Sequence, residues 1–158
     1  MANAAIRPAE TEMGKVVDLL GGDALFDRPF STALEAHESI QHGFPSKSLL
    51  SFVARIPAIS RGDNLDKVLG INIRTFQRRK KEGAVERLSR EQSGRLYKAA
   101  EIVAKAIDIF GSIDAAQRFL EEPALALDRM RPIDLLSTPA GAELVERHLG
   151  RLDYGVYT

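Results

Sequence analysis

The sequence predicts an all-α protein, and three observations carry that prediction. No segment alternates apolar and polar residues strictly over the length of a strand. Between Ser89 and Gly111, the residues Leu96, Ala99, Ala100, Val103, Ala106, Ile107 and Phe110 recur at spacings of three and four, so one apolar stripe runs the length of a helix. Elsewhere, capping residues precede short periodic runs, and Gly or Pro follows them.

In chain order, residues 1–15 lack periodicity and read as a mobile arm. "KVVDLLGG" reads as a short helix stopped by Gly21-Gly22, since paired glycines end helices readily. After a mixed stretch from Asp23, "STALEAHESIQHG" starts a helix at Ser31 that Gly43 stops. "PSKSLLSFVARI" is opened by Pro45-Ser46 and closed before Pro57. The next helix takes Asp63 or Asn64 as its N-cap and runs through "LDKVLG" to Gly70. "NIRTFQRRKKEG" begins anew after Asn72 or a residue or so later, and ends at Gly83. Ser89, followed three residues on by Gln92, has the form of a capping box, and Gly111 ends the long helix it opens. In "SIDAAQRFLEEP", Ser112 caps, Ala115, Ala116, Phe119 and Leu120 point inward, and Pro123 breaks the helix. "RPIDLLST" and "PAGAELVERHLGRLDYG" add two more. Thr138 as N-cap with Pro139 at the first helical position is an ordinary helix start, so "TPAG" is assigned to structure.

Composition removes several function classes. The absence of cysteine excludes disulfides, thiolate metal sites and cysteine nucleophiles. His37, His42 and His148 are too scattered to pair on a metal at helical spacing. No phosphate-cradling glycine loop and no nucleophile with an adjacent base is present, and Glu121-Glu122 reads as solvated surface, so the expectation is a protein without catalytic activity or cofactor. No apolar run approaches a membrane span, and no basic region followed by an apolar stretch forms a signal peptide, so a cytoplasmic location is expected.

Net charge is zero, but it is a cancellation. From Arg55 to Lys98 there are 12 Lys and Arg against 5 Asp and Glu, a net of +7; the remaining 10 basic and 17 acidic residues give −7. Such segregation points to an anionic partner. Within the basic centre, "LDKVLG" and "NIRTFQRRKKEG" are two short helices joined at Gly70-Ile71-Asn72, the form of a helix-turn-helix. Leu65, Val68, Leu69, Ile71 and Phe76 would form its small core. The second helix would present Arg74, Thr75, Gln77, Arg78, Lys80 and Lys81. Arginine can bond guanine bidentately and glutamine can pair with adenine. Arg74, Thr75 and Arg78, near the helix start, are the base readers expected, with Lys80, Lys81 and Arg87 on phosphates. Arg79 and Asp66 stand where many such units keep an apolar or small residue.

The ordered motifs "INIRTFQRRKKEG", "LSREQSGRLYKAAEIVAKAIDIFGS", "AAQRFLEEPALAL" and "RPIDLLSTPAGAELVERHLGRLDYGVY" together resemble the Xre/MbcA/ParS antitoxin family over roughly residues 60–158. Two departures stand out. Phe119 replaces a commoner tryptophan, and "ALALDRM" lacks the glycines often found before the proline segment. The resemblance implies a type II toxin–antitoxin system. Its antitoxin would dimerise, bind its own operator DNA and neutralise a toxin, usually a RES-domain protein that depletes NAD⁺. The expected division of the chain is an N-terminal arm with short helices whose role the sequence leaves open (1–45), a helix-turn-helix region (46–98) and a small helical C-terminal domain (99–158), which the resemblance implies is the toxin-binding one. A free-standing helix-turn-helix repressor without a toxin is the alternative.

The C-terminal "HLGRLDYGVYT" admits two readings. Leu152, Tyr154 and Val156 could seal the domain's own core. Alternatively, Gly150 lets the chain leave the last helix, and Arg151, Asp153, Tyr154, Gly155, Val156, Tyr157 and Thr158 form a wedge rich in the tyrosine and arginine common at interface hot spots. The resemblance implies the second, with the wedge covering the toxin's NAD⁺ cleft. The apolar face of the 89–110 helix exceeds what one small domain needs, which makes it a candidate dimer surface.

Overall fold

Ser89 forms the capping box its spacing predicts: its hydroxyl accepts from the Gln92 backbone, and the Gln92 side chain accepts from the Ser89 backbone. The helix it opens, α6 (Arg90–Phe110), is the axis of the computed structural model, which describes residues 11–83 and 86–155. Before it come α1 (Glu12–Leu19), α2 (Ala33–His42), α3 (Ser46–Arg55), α4 (Asn64–Leu69) and α5 (Ile73–Glu82). After it come α7 (Ile113–Glu121), α8 (Pro132–Leu135) and α9 (Pro139–Asp153). Among the described residues there is no strand, only isolated bridges at Pro45–Arg87 and Ala124–Met130.

Five helices, α1, α2, α4, α7 and α9, pack around α6. Its buried set therefore reaches beyond the single stripe read from the sequence and takes in Ile102 and Ala104 as well. The chain covers most of that apolar face itself, leaving Ile107 half-buried and Phe110 exposed at its C-terminal end. The helix is also continuous across the expected 98/99 boundary, so both regions share one core.

Side-chain caps set most helix starts. Thr32, Asn72, Ser112 and Thr138 each accept from the backbone N–H three residues on, satisfying donors the first turn leaves open. Thr11 does the same for Gly14, so α1 begins at Glu12. Over Glu12–Lys15 the expected arm is thus replaced by a helix, while residues 1–10 lie outside the described residues. The mixed stretch after Asp23 carries a cluster that periodicity did not reveal. Phe26, Phe30 and Phe44 pack at ring separations of 5.1–5.7 Å, and Tyr97 of α6 closes on Phe30 at 6.0 Å.

The "ALALDRM" departure has a backbone consequence. Asp128 and Arg129 adopt φ of +55° and +64°, the left-handed region that glycine enters without strain. A bond from Arg129 N to Ala124 O at 2.9 Å and one from Ala124 N to Met130 O at 3.1 Å hold the turn.

Candidate functional site

The helix-turn-helix forms as predicted. Gly70 takes the left-handed conformation (φ +66°) that turns the chain after α4, and Asn72 caps α5. Leu65, Val68, Leu69, Ile71 and Phe76 are all buried and fix the angle between the two helices. With Phe76 facing in, α5 turns Arg74, Gln77, Arg78, Lys80 and Lys81 to solvent, while Thr75 is half-buried. Only Glu82 opposes this charge on the helix, and its carboxylate stays 3.9 Å from Arg78. An exposed cationic helix of this kind suits a groove lined with phosphate.

Two basic residues stand apart from that face. Arg87 donates to Gly43 O at 3.2 Å and pairs with Asp27, so its guanidinium is engaged within the chain beside the bridge to Pro45. Arg79 is half-buried, and its Nε and Nη1 are enclosed with no acceptor among the described residues. Its sequence position, marked as unusual for an arginine, is unusual in the structure too.

The helix-turn-helix is tied to the C-terminal region by polar contacts made through α4, its first helix. Asp134 of α8 accepts from Arg131 at 2.7 and 2.9 Å and from Lys67 of α4 at 3.0 Å. Arg131 also donates to Asn64, the first residue of α4, whose amide donates to Ala58 O. Arg131 and then Lys67 hold the Asp134 carboxyl down to about 2 against the opposing effect of burial. Since that value lies below the unfolded one, the stabilisation is complete above the ordinary aspartate range and is lost as pH falls toward 2. Asp134→Asn is expected to cost about 1–3 kcal/mol near neutrality. It should also flatten the fall in stability between about pH 4 and 2, measured by urea unfolding across that range.

The "EQSGRL" segment supplies a second tie. Ser93 accepts from Phe44 N at 2.8 Å and donates to Ser89 O at 2.7 Å. Arg95 donates to Lys67 O at 3.2 Å and to Ser137 O at 3.0 Å, bracketing the last turn of α4 against the approach to α9. Leu96 is buried beneath them.

At the far end, α9 runs on through Gly150 to Asp153, and the chain turns only at Tyr154 and Gly155 (φ +70°). Gly150 is therefore inside the helix and is not the exit that the sequence suggested. Arg151, Asp153, Tyr154 and Gly155 are exposed, Tyr154 at 84%, and Leu152 is half-buried. Tyr154 does not seal the core; Val156, Tyr157 and Thr158 lie outside the described residues. Nearby, Phe119 is sandwiched by Phe110 at 5.0 Å and His148 at 5.9 Å, the place where the family more often has tryptophan. Burial, then the Arg151 charge, lowers the His148 pKa. Tyr154 and Asp153 border a cavity of about 610 Å³ between α1, α6 and α9. No group of His, Asp and Glu that could hold a metal occurs among the described residues, and no helix among them is long and apolar enough to cross a membrane.

Comparison with known proteins follows the same two-part plan. Residues 35–101 match the antitoxin Xre-like helix-turn-helix domain, and residues 105–155 match the antitoxin Xre/MbcA/ParS C-terminal toxin-binding domain. The first range ends and the second begins inside α6, with three residues between them. The chain is similar to antitoxin Xre of Pseudomonas putida, 30% identical over 138 residues that span 84% of this chain and 80% of that protein. It is also similar to antitoxin Xre of Photorhabdus laumondii, 25% identical over 129 residues that span 81% of this chain and 84% of that one.

Proposed function

The chain belongs to the Xre/MbcA/ParS antitoxin family, and on that footing we propose that it neutralises a RES-domain, NAD⁺-depleting toxin by laying its C-terminal segment over the toxin's active-site cleft. One observation carries this reading. Of the seven large apolar side chains exposed among the described residues, five (Phe110, Leu125, Met130, Leu144 and Tyr154) fall within the 105–155 toxin-binding range. Tyr154, the most exposed of the five at 84%, stands at the end of α9, and tyrosine is among the residue types that carry interface binding energy. Arg151, Asp153, Tyr154, Gly155, Val156, Tyr157 and Thr158 form the contacting tail. The system is type II, both partners act in the cytoplasm, and the antitoxin works as a homodimer.

The opposite end binds the operator and autoregulates the operon. Arg74, Thr75, Gln77 and Arg78 face bases, and Lys80 and Lys81 face phosphates. Arg87 meets a phosphate with a guanidinium that already pairs with Asp27. Operator affinity should fall steeply with salt, by a log–log slope of about −0.9 for each phosphate neutralised. Arg78→Ala is expected to cost about 1–3 kcal/mol on the preferred site and to relax base preference, read by gel shift against mismatched duplexes.

The deciding experiment is co-expression with the adjacent reading frame, followed by affinity capture and measurement of cellular NAD⁺. Capture of that product, with NAD⁺ restored when the antitoxin is present, is the expected result. A neighbour that neither binds nor lowers NAD⁺ overturns the reading and favours a repressor without a toxin partner.

A further inference from the structure

Ile73 is the first residue of α5, and it is 41% exposed. Within residues 46–98 it is the one large apolar side chain so exposed among the described residues. The fold does not require it there. Phe76 makes the core contact of α5 and Asn72 makes the cap, so a polar residue at position 73 would serve the helix equally well. Its neighbours on the outward side are all polar or charged: Arg74 beside it, and Gln77 one turn along on the same strip. Asn72 has its Oδ1 committed to Thr75 N at 2.8 Å, which leaves Ile73 and Arg74 as the foremost side chains with free ends.

A recognition helix enters the major groove with its N-terminal residues deepest. The floor of that groove presents donors, acceptors and a single kind of apolar group, the 5-methyl of thymine. We propose that Ile73 is a specificity-determining residue that packs on a thymine methyl next to the bases contacted by Arg74 and Gln77. The inference rests on the operator-binding reading and adds a base identity to it. Burying one methyl group corresponds to about a four-fold change in dissociation constant, and to about its square when two copies occupy two half-sites.

The test uses the promoter fragment upstream of the chain's own gene, amplified from primers and nucleotides that carry either thymine or uracil throughout, so that the second product lacks every 5-methyl group. Wild type should bind the uracil fragment at least four-fold more weakly. Ile73→Ala should bind both fragments alike, at the affinity of wild type for uracil DNA. Ile73→Gln, which keeps a good helix former at the position, should also lose the discrimination, and thermal unfolding of both variants confirms that they fold. Any change that uracil makes to duplex shape affects all three proteins equally. Equal loss in wild type and both variants, or no loss in wild type, overturns the role of Ile73 while leaving operator binding intact. Failure of wild type to bind either fragment, alone or with its co-expressed partner, overturns the operator reading and this inference with it.

Discussion

Deleting Tyr154–Thr158 is expected to release the toxin while leaving operator binding within two-fold of wild type. Tyr154 extends into solvent beyond the end of α9, so its removal exposes no core. Leu149 and Val145, which anchor α9, stay in place, and Leu152 remains within the truncated chain. A tyrosine at an interface hot spot is worth about 2 kcal/mol or more, so the five-residue deletion should weaken toxin binding at least about 30-fold. No hydrogen bond or ion pair among the described residues links α5 to α9, which is why the DNA readout should not move. The two outputs are measured side by side, as survival under toxin co-expression and as gel shift on the promoter. A truncated protein that still protects cells would remove the tail from the inhibitory surface. One that loses both outputs would mark the tail as a structural strut.

The second large effect belongs to Gly141. It sits in the first turn of α9 against the end of α8, and a Cβ there would stand 1.9 Å from the Leu135 carbonyl oxygen and 2.8 Å from its carbon. Those are backbone atoms, so no side-chain rotation relieves the clash. The two helices must separate, which opens the contacts of Ile133, Leu136, Ala142 and Val145. Gly141→Ala is expected to cost at least about 3 kcal/mol, and the melting temperature should drop by roughly 6–12 °C. Gly150 provides the control on the same helix. Its added Cβ would meet only the Lys105 ammonium at 3.9 Å, so Gly150→Ala should stabilise by up to about 1 kcal/mol. Thermal unfolding of the pair separates a packing requirement from a general intolerance of alanine.

What could be read from the sequence was local. The Ser89–Gln92 box, the Asn72, Ser112 and Thr138 caps, and the glycines after α5 and α6 act over three or four residues, and the chain obeys them. Phe76 and its helix-turn-helix companions followed from short-range spacing. The misses have a different origin. Lys67 and Asp134 are far apart in sequence, and nothing near either one announces the pairing; the same holds for Arg95 and the carbonyl of Ser137. The Phe26–Phe30–Phe44–Tyr97 cluster joins an irregular stretch to a helix, so it has no period to detect. Gly150 misled because glycine usually marks a helix end, whereas here Val145, Leu149 and Leu152 carry the apolar period past it. Of the candidate site, the solvent-facing side of α5 was legible from its residues, while the intrachain partners of Arg87 were not.

The unbroken run of α6 through both halves sets a rule for recombining such proteins. A chimaera that couples this reading head to a foreign inhibitory tail cannot be spliced at a linker, because none exists; the seam must fall inside a helix. Adding or dropping one residue at the seam would turn everything downstream by about 100°, swinging Asp134 off Lys67 and Ser137 off Arg95. Exchange of specificities between relatives is therefore confined to crossovers that conserve helical phase.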